Sequence, residues 1–213
     1  MTGARVQPKE RASVPSHIVG PRAKLGKRPP STERILMAAE SIFGERGFGS
    51  VSVEDILNLA DVSRATFYQH FKSKEELAAA LFDRALEVLT ESVLARFASE
   101  TTLEGKIAAG LDVYLELWQR HGRLVQELSI EALRPGSKLA PARKHVVDTV
   151  VQVLCAAAET ETGVRFDPLV CEHLILGIEA LLVHRGLDGP LTDEARRELQ
   201  AKLLQLILNS RGR

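Results

Sequence analysis

The amino-acid sequence predicts an all-α chain, with a small N-terminal unit of three helices followed by a larger helical body. Three observations carry that expectation. After Pro30 the apolar residues recur every three or four positions, the spacing of one helix face. Ser or Thr stands before several of these runs and Gly or Pro after them, as helix caps and stops require. Apolar residues make up 45% of the 213, enough for a sizeable buried core, yet no apolar run nears the roughly 20 residues that span a bilayer.

Residues 1–30 mix Pro, Gly and Ser with seven basic residues against one acidic, and close on "KRPP". They read as a flexible basic arm. Two roles fit it: a solvated tail, or an arm that grips DNA phosphate or a minor groove. The whole chain has zero formal charge, so any nucleic-acid contact must be local rather than a property of the whole surface. The first residues lack the apolar core of a secretory signal. Only Cys155 and Cys171 occur, which suits reduced thiols in a cytoplasmic protein better than a disulfide.

The first helix is expected to start at a Ser31 or Thr32 cap and to bury Ile35, Ala39, Ile42 and Phe43. Gly47 and Gly49 end it. A short second helix opens at Ser52, with Asp55 completing a capping box, and turns Val53, Ile56, Leu57 and Ala60 inward. After "DVS" a third helix is capped by Ser63. Two short helices joined by a tight turn are the skeleton of a helix-turn-helix, whose second helix lies in the DNA major groove. Arg64, Ala65 and Thr66 would then meet base edges: Arg can hold guanine O6 and N7 together, and Thr can touch a base or a thymine methyl. Phe67 and Phe71, four apart, anchor the helix inward. Tyr68, Gln69, His70 and Lys74 lie between and after them, placed to reach phosphate. A core helix with an ordinary solvated face fits the same composition.

The string "GFGSVSVEDILNLADVSRATFYQHFKSKEEL" resembles the DNA-binding region of the TetR family of bacterial transcription regulators. The likeness runs from about Ile35 to Leu81, roughly a fifth of the chain, and "SRATFYQHFKSKEEL" is its most specific part. The resemblance implies nine or ten helices: an N-terminal three-helix DNA-binding domain with the helix-turn-helix, plus a C-terminal helical ligand-binding and dimerisation domain. It places the helix-turn-helix at about 52–71 within a DNA-binding domain of 31–75, and the effector-binding and dimerisation domain at 76–213. It assigns a phosphate contact to Ser52, bases to Arg64, Ala65 and Thr66, and backbone contacts to Tyr68, His70 and Lys74. Two residues depart from the family pattern. Asp61 stands where Gly is usual in the turn, a left-handed position that Asp tolerates, and Leu57 stands where a small Ala is common.

The fourth helix, about 73–98, carries two adjoining apolar stripes, as a connector packed on two sides would. A fifth is expected to end at His121-Gly122, a sixth at Pro135-Gly136, and a seventh to run from about Pro141 to Glu161. Phe97, Tyr114, Trp118 and Leu128 are candidates to line an interhelical pocket for an apolar or aromatic effector; ordinary core packing is the other reading of each. The last two helices, about 167–185 and 192–209, show stripes of Val170, Leu174, Ile178 and Leu181, and of Ala195, Leu199, Leu203 and Leu206. With the small Gly177, Ala180 and Ala201 they suit a two-fold four-helix interface, which a homodimer reading two half-sites of double-stranded DNA would use; packing on their own body is the alternative.

No glycine-rich phosphate loop, nucleophile elbow, paired metal histidines or Cys-x-x-Cys occurs. No catalysis, metal or cofactor is expected. The sequence reading is a ligand-responsive repressor, against the alternative of a helical ligand-binding or interaction module that no longer reads DNA sequence.

Overall fold

The computed structural model describes residue 18 and residues 29–164, 166–185 and 191–209. Most of the expected basic arm therefore lies outside the described residues. Regular structure among the described residues is all helical: α1 Ser31–Arg46, α2 Val53–Ala60, α3 Arg64–His70, α4 Lys74–Ser99, α5 Leu103–Ala132, α6 Ala140–Thr162, α7 Pro168–Arg185 and α8 Asp193–Asn209, with a 3-10 turn at Phe48–Ser50.

The caps explain most of these limits. Ser52, Ser63, Ser73 and Thr102 each accept a hydrogen bond from the backbone N–H three residues on, opening α2, α3, α4 and α5. Helices α1 and α6 begin with no side-chain cap, and at α1 the two expected cap hydroxyls turn elsewhere, as described below. Gly47 ends α1 at φ 81°, donating its N–H to the Phe43 carbonyl, a conformation open to glycine. Asp61 ends α2 in the left-handed region, φ 51° and ψ 56°, as its place in the turn predicts.

The expected fifth and sixth helices are two helical segments of α5, joined across a kink at the anticipated stop, where His121, at φ −126° and ψ 21°, leaves helical geometry. Gly122, beside it, weakens a helix without forbidding one. Helix α5 is the axis of the fold, touching α1, α4, α6, α7 and α8.

A first apolar core holds Ile35, Phe43, Ile56, Phe67 and Phe71 against the start of α4 and, from beyond the kink, Leu124 and Leu128 of α5. It thus crosses the expected boundary at residue 75. A second core joins the first half of α5 to α7 and α8 through Ile107, Leu115, Ile178, Leu199 and Leu203. Ile18, fully buried, joins the first core and donates its N–H to Glu40 of α1 at 2.8 Å. No helix of the described residues is long and apolar enough to cross a membrane.

Candidate functional site

Two places in the molecule could carry function: the surface of α2 and α3, and a cavity in the body. The first is built on the inward anchors Phe67 and Phe71, whose rings pack 6.0 Å apart. Burying them turns the rest of α3 outward. Arg64, Ala65, Tyr68, Gln69 and His70 are exposed, and Thr66 is half-buried with its hydroxyl 2.8 Å from that of Ser63. Tyr68 stands edge-on to Phe67 and is 47% exposed, so the ring is braced while the hydroxyl faces solvent.

Several of these side chains have partners that sequence spacing could not reveal. Arg64 donates to the Glu54 carboxylate of α2 at 2.5 Å. The His70 ring lies between two hydroxyls, Ser31 Oγ at 2.8 Å from Nε2 and Thr32 Oγ1 at 3.0 Å from Nδ1. That explains the missing cap of α1: its first two hydroxyls pin α3 instead. Lys74 donates to the carbonyls of Phe48 and Val51, at 2.8 and 2.7 Å, and sits over the Phe48 ring. Expected on phosphate, it is first an internal tie, with one ammonium hydrogen left to offer.

Ser52 is similarly engaged. Its hydroxyl donates to Asp55 Oδ2 at 2.6 Å and accepts the Asp55 N–H, while its own N–H reaches the same carboxylate at 2.9 Å. These bonds, with Arg46 at 3.0 Å, hold the Asp55 pKa down at about 2. Arg34 closes the other end of α2, donating to the Ala60 and Asp61 carbonyls at 2.9 and 2.8 Å. Unpaired carbonyls end every helix, and an arginine 26 residues earlier meets these.

The second place is a cavity of about 200 Å³ between α4, α5, α6 and α7. Phe97, Tyr114 and Leu128 line it. Trp118 does not. It is buried in the second core with Leu103, Ile107 and Leu199, because α5 is buried on nearly all sides from Val113 to Trp118 and periodicity cannot tell which neighbour each residue meets. The sequence reading missed Arg143 of α6 and Glu179 of α7, which form a two-pronged ion pair in the lining: Nε lies 3.0 Å from each carboxylate oxygen and Nη2 donates to Oε2. Only the folded chain brings these two residues together. Burial, then the Glu179 charge, push the Tyr114 hydroxyl well above its ordinary pKa, so it stays protonated.

The segment of α5 after the kink joins the two places. Leu124 and Leu128 line the cavity. Arg123 donates to the Glu45 carbonyl at 2.7 Å, and Glu127 accepts the Phe48 N–H at 3.2 Å. One stretch of helix therefore touches the cavity with one face and the N-terminal three-helix unit with the next.

On the last two helices the expected stripe divides. Ile178, Leu199 and Leu203 are buried in the chain's own core, a correction to their placing at a dimer seam. Val170 and Leu206 are exposed, as are the small Gly177, Ala180 and Ala201. Cys155 and Cys171 are buried free thiols with sulfurs 3.9 Å apart. No group of His, Cys, Asp or Glu among the described residues is arranged to hold a metal.

Comparison with known proteins bears on both places. Residues 35–81 match the model of bacterial regulatory proteins of the tetR family. The chain is 32% identical over 114 residues to the HTH-type transcriptional regulator EthR of Mycobacterium tuberculosis, covering 51% of this chain and about half, 53%, of EthR. It is 31% identical over 175 residues to the HTH-type transcriptional activator FasR of Mycolicibacterium smegmatis, covering 80% of this chain and 74% of FasR. In fold it is similar to the transcriptional regulator FadR of Bacillus subtilis, solved with stearoyl-CoA, with a TM-score of 0.70 at 18% identity over 84% of this chain and 98% of that one.

Proposed function

The chain belongs to the tetR family of bacterial regulatory proteins, and on that premise we propose that it works as a homodimeric, ligand-responsive repressor on a near-palindromic operator. The observation that carries this reading is the outward face of α3. Phe67 and Phe71 hold the helix from behind while Arg64, Ala65 and Thr66 stand at its N-terminal end, where a major-groove helix meets base edges. Tyr68 and Gln69 flank them toward the backbone. Ser52, His70 and Lys74 complete the surface from positions that also hold the unit together.

The reader corresponds to residues 31–75 and the effector and dimerisation body to 76–213, with α4 and the second half of α5 as the shared seam. The exposed Val170, Gly177, Ala180, Ala201 and Leu206 form the face for a second copy, and pairing two readers suits two half-sites. The apolar cavity takes the effector. FadR holds stearoyl-CoA in the same fold, which supports an apolar ligand here. Without a membrane-spanning helix among its described residues, such a regulator would act in the cytoplasm.

The test begins with selecting bound duplexes from random DNA, then titrating the best at several salt concentrations. A near-palindrome should emerge. Arg64→Ala should relax one position in each half-site at a cost of about 1–3 kcal/mol, and Tyr68→Ala should weaken all sequences alike. Transcription from a promoter carrying that sequence should fall on adding protein; a rise would make the protein an activator, as FasR is named. Salt-sensitive background binding with no enriched sequence would favour the interaction module instead.

A further inference from the structure

We propose that the cavity selects an uncharged apolar molecule bearing one hydrogen-bond acceptor, held against Tyr114 and the Arg143–Glu179 pair, and that it rejects the matching free acid. The inference rests on the reading of this cavity as the effector site. Most of the lining is aliphatic or aromatic. Two of its hydroxyls are turned back on their own helices: Thr90 donates to the Leu86 carbonyl at 2.7 Å and Thr149 to the His145 carbonyl at 2.8 Å. The polar groups left in the lining are Ser129, Tyr114 and the ion pair.

The pair decides the charge of the ligand. Arg143 would be the natural partner of a carboxylate, but Glu179 already occupies its fork with three hydrogen bonds. An incoming carboxylate would shed its water and then meet a cation that is neutralised, beside a second anion. An ammonium group meets the mirror-image difficulty, since Glu179 is matched to Arg143. An ester, amide or ketone oxygen meets neither. It can accept from the protonated Tyr114 hydroxyl and from the guanidinium N–H groups that Glu179 does not use. Size limits the class further. A cavity of about 150 Å³ holds benzene, so one of about 200 Å³ suits roughly eight to twelve non-hydrogen atoms before the walls must move.

Methyl octanoate, octanoate and octylammonium separate the possibilities, with binding read by calorimetry on the full-length protein. At pH 7 methyl octanoate should bind at least about tenfold tighter than either charged probe. Glu179→Gln, which strips Arg143 of its counter-charge, should improve octanoate at least about tenfold. A second arm needs no variant. Tyr114, Arg143 and Glu179 are the titratable groups of the lining among the described residues. As the ligand carboxyl takes up its proton between pH 7 and about pH 5, octanoate affinity should rise about tenfold per pH unit while the ester stays level. Equal binding of acid and ester at pH 7, or acid affinity flat with pH, would overturn the charge rule. Val150→Trp, which fills the cavity, distinguishes that failure from failure of the site: it should abolish ester binding. Ester binding that survives it, or binding of none of the three probes, would overturn the cavity reading and the proposal with it.

Discussion

The guanidinium of Arg64 and the carboxylate of Glu54 meet at 2.5 Å across the turn between α2 and α3. The residue we propose reads a base is thus paired with its neighbour before DNA arrives. Both partners are more than half exposed, so the pair is weak, within about 1 kcal/mol. Glu54→Gln should free Arg64 and remove one negative charge from the DNA-facing side. Affinity for duplex DNA should rise about two- to fivefold at low salt, by the same factor on operator and scrambled sequence. A loss on the operator alone would mean that Glu54 aims Arg64 rather than restraining it.

Lys74 ties the start of α4 to the turn before α2. Lys74→Met removes two charged hydrogen bonds to the backbone carbonyls of Phe48 and Val51. It should lower stability by about 1.5–3 kcal/mol, seen in denaturant unfolding. The slope of operator affinity against salt should fall by about one, as the phosphate contact of the third ammonium hydrogen is lost; an unchanged slope would make Lys74 an internal tie alone.

Asp55 makes the DNA-binding unit sensitive to acid. Its pKa of about 2 in the folded chain lies below the roughly 3.9 of an unfolded Asp. The capping box therefore stabilises fully above about pH 5 and is lost as pH falls through 2. Wild type should exceed Asp55→Asn in stability by a constant margin from pH 7 to 5, and the margin should shrink below pH 4. Urea titrations of both proteins across that range check the shape.

Burial, then the neighbouring Cys155, push the Cys171 thiol up to about 12, so little thiolate is present at neutral pH. The 3.9 Å between the sulfurs is far beyond a disulfide bond of about 2.05 Å. Iodoacetamide at pH 8 should label neither cysteine in the folded protein and both after unfolding. Rapid labelling of Cys171 in the native state would contradict the buried, protonated thiol.

Local chemistry was readable where it acts locally. Ser52 with Asp55, Ser63 and the left-handed Asp61 could be found from the sequence because each makes its cap within four residues. The inward pair Phe67 and Phe71 followed from a single helical turn. What escaped was distant in sequence. His70 meets Ser31 and Thr32 across 39 and 38 residues, and Arg143 meets Glu179 across 36. No periodicity records such meetings. The break expected at His121-Gly122, a local signal, stands as the kink in α5. The stripes of α7 and α8 could not divide their residues between an outer face and the chain's own core.

Leu124 and Leu128 share two turns of helix with Arg123 and Glu127, and that adjacency constrains how such a chain can change over generations. A substitution that reshapes the cavity at 124 or 128 also tilts the grip at 123 and 127. New ligand preference and altered operator occupancy are then inherited as one trait. Lineages that acquire a different inducer should carry a second change near Glu45 or Phe48 that restores the resting level of expression.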